Sequence, residues 1–255
     1  MKYFLDTEFL EGTQKRMFGE TKPTIDLISI GIVCEDGREY YAISKDFNLK
    51  EAWNRYDIEK DFCKPQGLGD KKVYWIRENI LKPIFIELRA KEVEEYNIAK
   101  RINVVLDFPV YSFCFKEFKR LINKYGKTNK RIAEEIKEFV YTKSFKDNKG
   151  NPIIDEKNWI DGKPEFYGYY SDYDWVVFCW LFGKMIDLPK GFPMYCIDLK
   201  QLLDEMPNRI TRTVFGYRTV EDIKNDPSYP KQINEHNALA DARWNKQLYD
   251  FLNKL

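Results

Sequence analysis

The segment Lys2-Tyr-Phe-Leu-Asp6-Thr-Glu8-Phe9 carries two acids, two residues apart, in an otherwise aromatic and apolar context. This composition favours a β-strand, and alternation along a strand puts Phe4, Asp6 and Glu8 on one face. Burying an unpaired carboxylate costs on the order of several kcal/mol, so a half-buried strand needs a cation, a basic side chain or a shared proton over the acids. The alternative, for Asp-x-Glu taken alone, is an edge strand whose acids face water.

Composition narrows the class of protein. The 255 residues are 44% apolar and 16% aromatic, which is enough for one sizeable core. The formal net charge is +1, so a polyanion must be held by a local patch rather than by the overall field. The five cysteines include no Cys-x-x-Cys, which argues against a disulfide framework or a structural zinc site and fits a reducing cytoplasm. No long apolar run or basic leader occurs, so neither a membrane span nor a secretory signal is predicted.

Runs of apolar and β-branched residues predict the other strands. Asp36-Gly37 lies between two such runs, and because glycine accepts the positive φ of a type I′ turn, the runs should form a hairpin. Three antiparallel strands followed by alternating strands and helices predict an α/β fold, with a mixed sheet and helices on both faces. The predicted strands are 2–9, 25–33, 38–43, 165–170 and 194–197, and the predicted helices are 129–140, 173–182, 199–206 and 237–255.

The remaining segments complete a prediction of one domain over residues 1–255. Residues 48–88 have a broken helical pattern, in which Pro83 should kink or end a helix. An inserted helical region is expected at about 89–127, and a surface hairpin or loop at about 143–163. Residues 207–232 contain three prolines and are expected to form a long loop.

Two further acids are predicted to point towards the core. Asp241 lies at the start of an apolar stripe on the last helix, and Asp174 at the start of another on the 173–182 helix. In the first turn a helix dipole stabilises a negative charge by up to about 1 kcal/mol, which is less than the cost of burial. Either acid alone fits an N-terminal helix charge. Together with Asp6 and Glu8 they indicate a site for divalent cations, which prefer oxygen ligands.

His236 is the only histidine, and it precedes Asp241 by five residues. On a regular helix the two side chains would diverge by roughly 140°. His236 is therefore expected just before the helix, at the mouth of the acidic site, where it could take a proton from an attacking water. The alternative is a surface-loop histidine.

Three motifs together resemble those of the DEDDh exonucleases: Asp6-x-Glu8, an inward Asp174 after an aromatic strand, and His236-x-Ala238-x-x-Asp241. Longer blocks resemble the polyadenylate-specific 3′-exoribonuclease AS family, and these blocks are 3–9, 25–43 and 173–183. The resemblance fails at about 89–127 and 143–163, where this chain looks longer than the family pattern.

The resemblance implies a ribonuclease-H-like fold and 3′-5′ hydrolysis of single-stranded RNA to nucleoside 5′-monophosphates, with adenine as the preferred base. It implies two Mg²⁺ or Mn²⁺ ions held by Asp6, Glu8, Asp174 and Asp241, with His236 as general base. A homodimer is also compatible with the family pattern.

Asp172 is a rival for Asp174, because it lies only two residues away. We prefer Asp174, since Tyr173-Asp174 followed by Trp-Val-Val-Phe matches the aromatic-Asp order of the family and begins the inward stripe.

Candidate contacts with the nucleic acid are Thr7, Phe9, Lys119, Arg120 and Lys124. Phe9 follows Glu8 and could wedge against the terminal base. The basic residues are interleaved with aromatic ones, a pattern suited to single strands, which are bound through phosphate contacts and stacking. The alternative for this basic run is a solvated helix face.

Two other functions stay open. A 3′-5′ exodeoxyribonuclease would use the same chemistry, because RNA and DNA are distinguished by contacts to the 2′-OH; RNA is favoured by the resemblance. A catalytically silent RNA-binding module is the second alternative, but it would have no need of a full set of inward acids. The predicted location is cytoplasmic, with no membrane partner.

Overall fold

The computed structural model describes residues 1–13, 22–60, 69–100, 113–141, 145–146, 149–150, 152–153, 162–210 and 219–255. Most of the loop predicted at 143–163 and part of the insertion predicted at 89–127 lie outside these residues. No helix within the described ranges is both long and apolar enough to cross a bilayer.

The strands in the described ranges are β1 (Lys2–Thr13), β2 (Pro23–Cys34), β3 (Glu39–Ile43), β4 (Asp57–Glu59), β5 (Lys71–Val73), β6 (Phe145–Lys146), β7 (Pro152–Ile153), β8 (Glu165–Gly168) and β9 (Ile197–Asp198). The α-helices are α1 (Leu49–Asn54), α2 (Lys82–Lys100), α3 (Phe115–Tyr125), α4 (Asn129–Tyr141), α5 (Asp172–Phe182), α6 (Leu199–Ile210), α7 (Val220–Lys224) and α8 (Ala238–Leu252). A π-helical turn (Arg77–Leu81) and a 3₁₀ turn (Met185–Asp187) complete the described elements.

The main sheet has five strands in the order β3-β2-β1-β8-β9. β1 is antiparallel to β2 and parallel to β8, which in turn is parallel to β9. β2 and β3 are joined by a tight turn at the predicted place, in which Gly37 has a φ of 87°. The turn is not of the predicted type I′, because Asp36 lacks the positive φ that this type also requires. The predicted α/β fold with a mixed sheet and helices on both sides is confirmed.

The two faces of β1 belong to two separate cores, because successive side chains on a strand point in opposite directions. Tyr3 and Leu5 pack with the apolar residues of α4 and α5. Phe4 packs on the other face with Leu203 of α6 and Leu248 of α8. β1 is therefore covered on both faces, and acids on it must be either buried or placed at the end of the sheet.

The structure contradicts the predicted limits of two other segments, and of the two outcomes predicted for Pro83, a kink or a helix end, it contradicts the second. The helix does not end at Pro83, because the π-helical turn runs directly into α2 and a wider turn accommodates a ring that would clash with the carbonyl four residues earlier. α6 continues through Pro207, at the start of the predicted loop. The same predicted loop contains α7, which begins with a capping box of Thr219 and Asp222 and buries Ile223.

The chain divides into two compact units. The first comprises Met1–Ala42 and Thr128–Leu255 and holds the five-stranded sheet. The second, Ile43–Lys127, contains the two-stranded β4-β5 ribbon, α1, α2 and α3. It begins well before the insertion expected at about 89–127, and the single-domain organisation stays a prediction.

Candidate functional site

Three carboxylates meet beside β1, just beyond the last residue that it pairs with β8. Asp6 is half-buried, whereas Glu8 and Asp241 are 8% and 6% exposed. One oxygen from each residue lies within 4.8 Å of the others. The register of β1 against β2 shifts between Glu8 and Phe9, which leaves Ile28 as an extra residue on β2 at this point.

Gly31 brings helix α8 to the acids of β1. It lies opposite Asp6 on β2, and a Cβ atom there would come within 2.3 Å of the Ala238 carbonyl oxygen and 2.4 Å of the Leu239 Cα atom. Only glycine allows the first turn of α8 so close to the sheet. That contact places Asp241 beside Asp6.

Asn245 fixes the same helix against β1. It is buried, one turn after Asp241, and its Nδ2 atom donates a hydrogen bond to the Leu5 carbonyl oxygen at 2.9 Å. This bond satisfies a buried carbonyl one residue before Asp6, so α8 is held in both position and rotation.

The segment before α8 closes over Asp241. The Gln232 side chain donates to one carboxylate oxygen of Asp241 at 2.5 Å, and the His236 backbone N–H donates to the other at 2.9 Å. Asn234 and His236 both have positive φ, at 58° and 66°. His236 lies two residues before α8 and is half-buried. Its backbone hydrogen bond to Asp241 ties it directly to an acid of the cluster.

Asp174 approaches from the other side of β1. Its Oδ1 atom accepts hydrogen bonds from the Thr7 backbone N–H at 2.9 Å and the Thr7 hydroxyl at 2.6 Å. The parallel pairing of β1 with β8 extends only to Phe4↔Tyr167, so Asp174 takes the place of a strand partner beyond it. Asp174 is 6% exposed, whereas its rival Asp172 is exposed. Asp174 lies outside the group of three but close enough for its charge to act on Asp6.

Burial and mutual repulsion raise the pKa of the acids in the site. The pKa of Asp6 is raised well above its ordinary value, first by burial and then by the charges of Asp174, Glu8 and Asp241. Burial, followed by the charges of Asp241 and Asp174, raises the pKa of Glu8 to about 8. Burial raises the pKa of Asp174 to about 6, although both Thr7 hydrogen bonds act in the opposite direction. The pKa of Asp241 is also raised by burial. Carboxylates in this state favour the binding of positive charge.

Two curated relatives are similar to this chain over nearly all of its length. They are 3′-5′ exoribonuclease Rv2179c of Mycobacterium tuberculosis strain ATCC 25618 / H37Rv and 3′-5′ exoribonuclease MT2234.1 of strain CDC 1551 / Oshkosh. Each is 25% identical over 245 residues, which is 95% of this chain and 88% of the relative. No model of a known protein family matches the chain.

The aromatic residues beside the acids form an exposed edge. The rings of Phe9 and Tyr173 meet edge to face with centroids 5.8 Å apart, and Tyr173 is 51% exposed. Phe9 itself is half-buried. Thr7, predicted as a substrate contact, uses its backbone N–H and its hydroxyl for Asp174, so its observed contacts serve the site's geometry.

The basic residues predicted to contact the nucleic acid lie on α3, in the second unit. Arg120 binds both carboxylate oxygens of Glu92, at 2.7 and 2.8 Å, and also Glu117 at 3.0 Å. Lys124 lies 3.4 Å from carboxylate oxygens of both Glu92 and Glu95. Lys119 is exposed. Two of the three predicted cations are therefore already paired with acids.

Three residues that shape the site were not predicted from the sequence: Gly31, Gln232 and Asn245. A glycine inside a β-branched run marks close approach of another backbone, and a polar residue one turn after Asp241 on an apolar stripe marks a buried hydrogen bond. These two signals are present in the sequence. Gln232 lies in a loop without periodicity, and no local pattern indicates it.

Proposed function

We propose that this protein is a metal-dependent 3′-5′ exoribonuclease that releases nucleoside 5′-monophosphates from single-stranded RNA. The observation that carries the proposal is the cluster of Asp6, Glu8 and Asp241. Burial and repulsion by neighbouring carboxylates disfavour the negative charges of Asp6 and Glu8. Within the described ranges, no basic side chain forms an ion pair with either residue to offset this. The similarity to two proteins named 3′-5′ exoribonucleases supports the same reaction.

We assign the chain to the DEDDh exonucleases of the ribonuclease-H-like superfamily, nearest to the polyadenylate-specific 3′-exoribonuclease AS family. The motifs at Asp6-x-Glu8, Asp174 and His236-x-Ala238-x-x-Asp241 support this assignment, as does a mixed sheet that begins with antiparallel strands. Adenine preference and a homodimer belong to the same resemblance and stay predictions.

The acids fit divalent cations. Buried carboxylates with closely spaced oxygens supply the hard ligands that Mg²⁺ and Mn²⁺ prefer. Asp6, Glu8 and Asp241 would hold the ions, with Asp174 completing the set. Two bound ions would neutralise the acids and stabilise the negative charge that develops on the scissile phosphate.

The chain's own residues supply orientation and proton transfer. Thr7 holds the Asp174 carboxylate, and Gln232 with the His236 backbone holds the Asp241 carboxylate, so the acids enter the reaction in one orientation. The imidazole of His236 would accept a proton from the attacking water, as a general base. Phe9, at the exposed aromatic edge, would contact the terminal base.

One assay tests the proposal and its alternatives. End-labelled single-stranded RNA and DNA, as homopolymers and as a mixed sequence, are incubated with the protein in Mg²⁺, Mn²⁺ or EDTA. We expect stepwise loss of 3′ nucleotides from RNA in metal and none in EDTA. Degradation of DNA alone would make the protein an exodeoxyribonuclease, and binding without degradation would make it a silent RNA-binding module.

Asp172→Asn and Asp174→Asn form a matched pair for the site itself. Both residues lie in the first turn of α5, but only Asp174 is buried and bonded to Thr7. We expect Asp174→Asn to lose activity and Asp172→Asn to retain it. The reverse result would exchange their roles.

A further inference from the structure

One face of the β4-β5 ribbon, in the second unit, combines aromatic rings with cations. β4 pairs antiparallel with β5 in the register Asp57↔Val73, Ile58↔Lys72 and Glu59↔Lys71. Continuing this register by one pair sets Tyr56 opposite Tyr74, and their ring centroids are 5.8 Å apart.

Alternation along the ribbon separates its charges by face. Tyr56, Ile58, Lys72 and Tyr74 occupy one face, because they lie at alternate positions of paired strands. The acids Asp57 and Glu59 occupy the opposite face together with Lys71. The acids of β4 are therefore turned away from the face that carries the tyrosines.

The cations of the aromatic face lie over its rings. The Lys72 Nζ atom is 4.0 Å from the centroid of Tyr56, and the Arg77 guanidinium carbon is 3.8 Å from the centroid of Tyr74. Arg77 also lies 3.5 Å from a carboxylate oxygen of Glu78. Lys72 forms no ion pair with any residue that the structure describes, so its charge is available to an anion.

Three of the four residues of this face are open to solvent. Tyr56 is 42% and Ile58 48% exposed, and Lys72 is exposed, whereas Tyr74 is half-buried. Adjacent aromatic, apolar and cationic side chains on an open face complement two parts of a nucleotide, because a base stacks on a ring while its phosphate pairs with a cation. The paired Arg120 and Lys124 of α3 lack this property, since carboxylates already neutralise them.

We propose that the ribbon face of Tyr56, Ile58, Lys72 and Tyr74 is a binding site for single-stranded RNA. A base stacks on the exposed ring of Tyr56, which Tyr74 supports from the paired strand, and a phosphate binds Lys72. This rests on the proposed function for its choice of RNA, but it concerns binding and not cleavage. The proposed contact with RNA therefore lies on the ribbon and not at the residues of α3 that were predicted from the sequence.

The test measures binding and cleavage separately. The full chain in EDTA is titrated against a fluorescently labelled single-stranded RNA 20-mer, by anisotropy, over a range of salt concentrations. We expect Tyr56→Ala to weaken binding about tenfold, as for loss of one stacked base, while Tyr56→Phe keeps most of the affinity. Lys72→Gln should weaken binding and reduce the slope of log affinity against log salt by about 0.7, the value for one lost phosphate contact on a single strand.

Lys71→Gln is the matched control, because it removes the same charge from the neighbouring position on the opposite face. It should leave both the affinity and the salt slope near those of the wild type. Equal effects of Lys71→Gln and Lys72→Gln, or wild-type binding by Tyr56→Ala, would overturn the proposal and make the face a candidate for protein contact instead.

Hydrolysis of a labelled RNA dinucleotide in Mg²⁺ separates this proposal from the proposed function. A dinucleotide has a single phosphodiester, which the acidic site engages, so the ribbon variants should cleave it at the wild-type rate. Ribbon-dependent binding by a protein that cleaves no RNA would overturn the exoribonuclease assignment only. Normal cleavage with ribbon-independent binding would overturn the ribbon assignment only.

Discussion

Glu8 on β1 and Glu92 on α2 are both glutamates among charged side chains, yet the pKa of Glu8 is raised to about 8 and that of Glu92 is lowered to about 2. Glu92 accepts hydrogen bonds from Arg120 and Arg89, with Lys124 close by. Glu8 is surrounded by carboxylates and is more deeply buried.

The difference separates a structural ion pair network from the proposed metal site. The charge of Glu92 is balanced by basic side chains of the same unit, so the carboxylate needs no bound cation to stay ionised. The charge of Glu8 is opposed by the surrounding carboxylates, as expected of the proposed metal site.

The largest effect is expected from Asp6→Asn or Asp241→Asn, which should abolish nuclease activity while preserving the fold. Removing one charge from crowded carboxylates relieves repulsion, so the metal-free variants should be at least as stable as the wild type. Thermal unfolding with and without Mg²⁺ measures this. Metal at about 100 times its Kd should stabilise the wild type by about 2.7 kcal/mol and the variants much less. Equal stabilisation of all three proteins would exclude both residues from the metal site.

His236→Ala should lower kcat by about 10²–10⁴-fold, the usual contribution of a general base. Metal affinity should be almost unchanged, because the contact of His236 with Asp241 is made by its backbone. Isothermal titration with Mn²⁺, beside the kinetics, checks both parts. Loss of metal binding in this variant would make the imidazole a ligand instead of a base.

The pH dependence of stability should have opposite signs in the two regions. An unfolded glutamate titrates near its ordinary pKa of 4.5, whereas the pKa of folded Glu8 is about 8. The metal-free folded state therefore binds more protons between these values, and its stability should fall as the pH rises through this window. A tenfold difference between the folded and unfolded acid dissociation constants corresponds to about 1.4 kcal/mol.

Unfolding in EDTA at pH 5 and pH 8 measures that loss, which Glu8→Gln should reduce. Saturating Mg²⁺ should also reduce it, because the bound ion keeps the carboxylates charged. A wild-type protein whose stability in EDTA rises across this range would contradict the raised pKa of Glu8.

The smallest effect is expected from Glu92→Gln, which should cost about 1 kcal/mol at neutral pH and leave nuclease activity unchanged. The pKa of Glu92 is lowered, so its contribution is present above pH 4.5 and disappears as the pH falls through about 2. Denaturant unfolding at neutral and acidic pH, with Glu8→Gln for comparison, measures it. A loss of activity in Glu92→Gln would give this network a catalytic role.

Local sequence patterns were sufficient to predict the mixed sheet and the inward orientation of the acids. Period-two alternation assigned Phe4 and Asp6 to one face of β1, and the turn at Gly37 joins β2 to β3. Helical periodicity placed Asp174 and Asp241 in the buried first turns of α5 and α8. These features follow from side-chain spacing over a few residues, because the period of a strand or helix fixes the face on which each side chain lies.

Tertiary structure alone decided which partner each side chain meets. Asp174 accepts a hydrogen bond from Thr7, which is 167 positions away in the chain. Arg120, predicted to contact nucleic acid, instead forms an ion pair with Glu92 on another helix. Gly31 matters only because the backbone of α8 passes within van der Waals distance of it. Such contacts depend on how distant segments pack, and no periodicity within a segment encodes its distance from another.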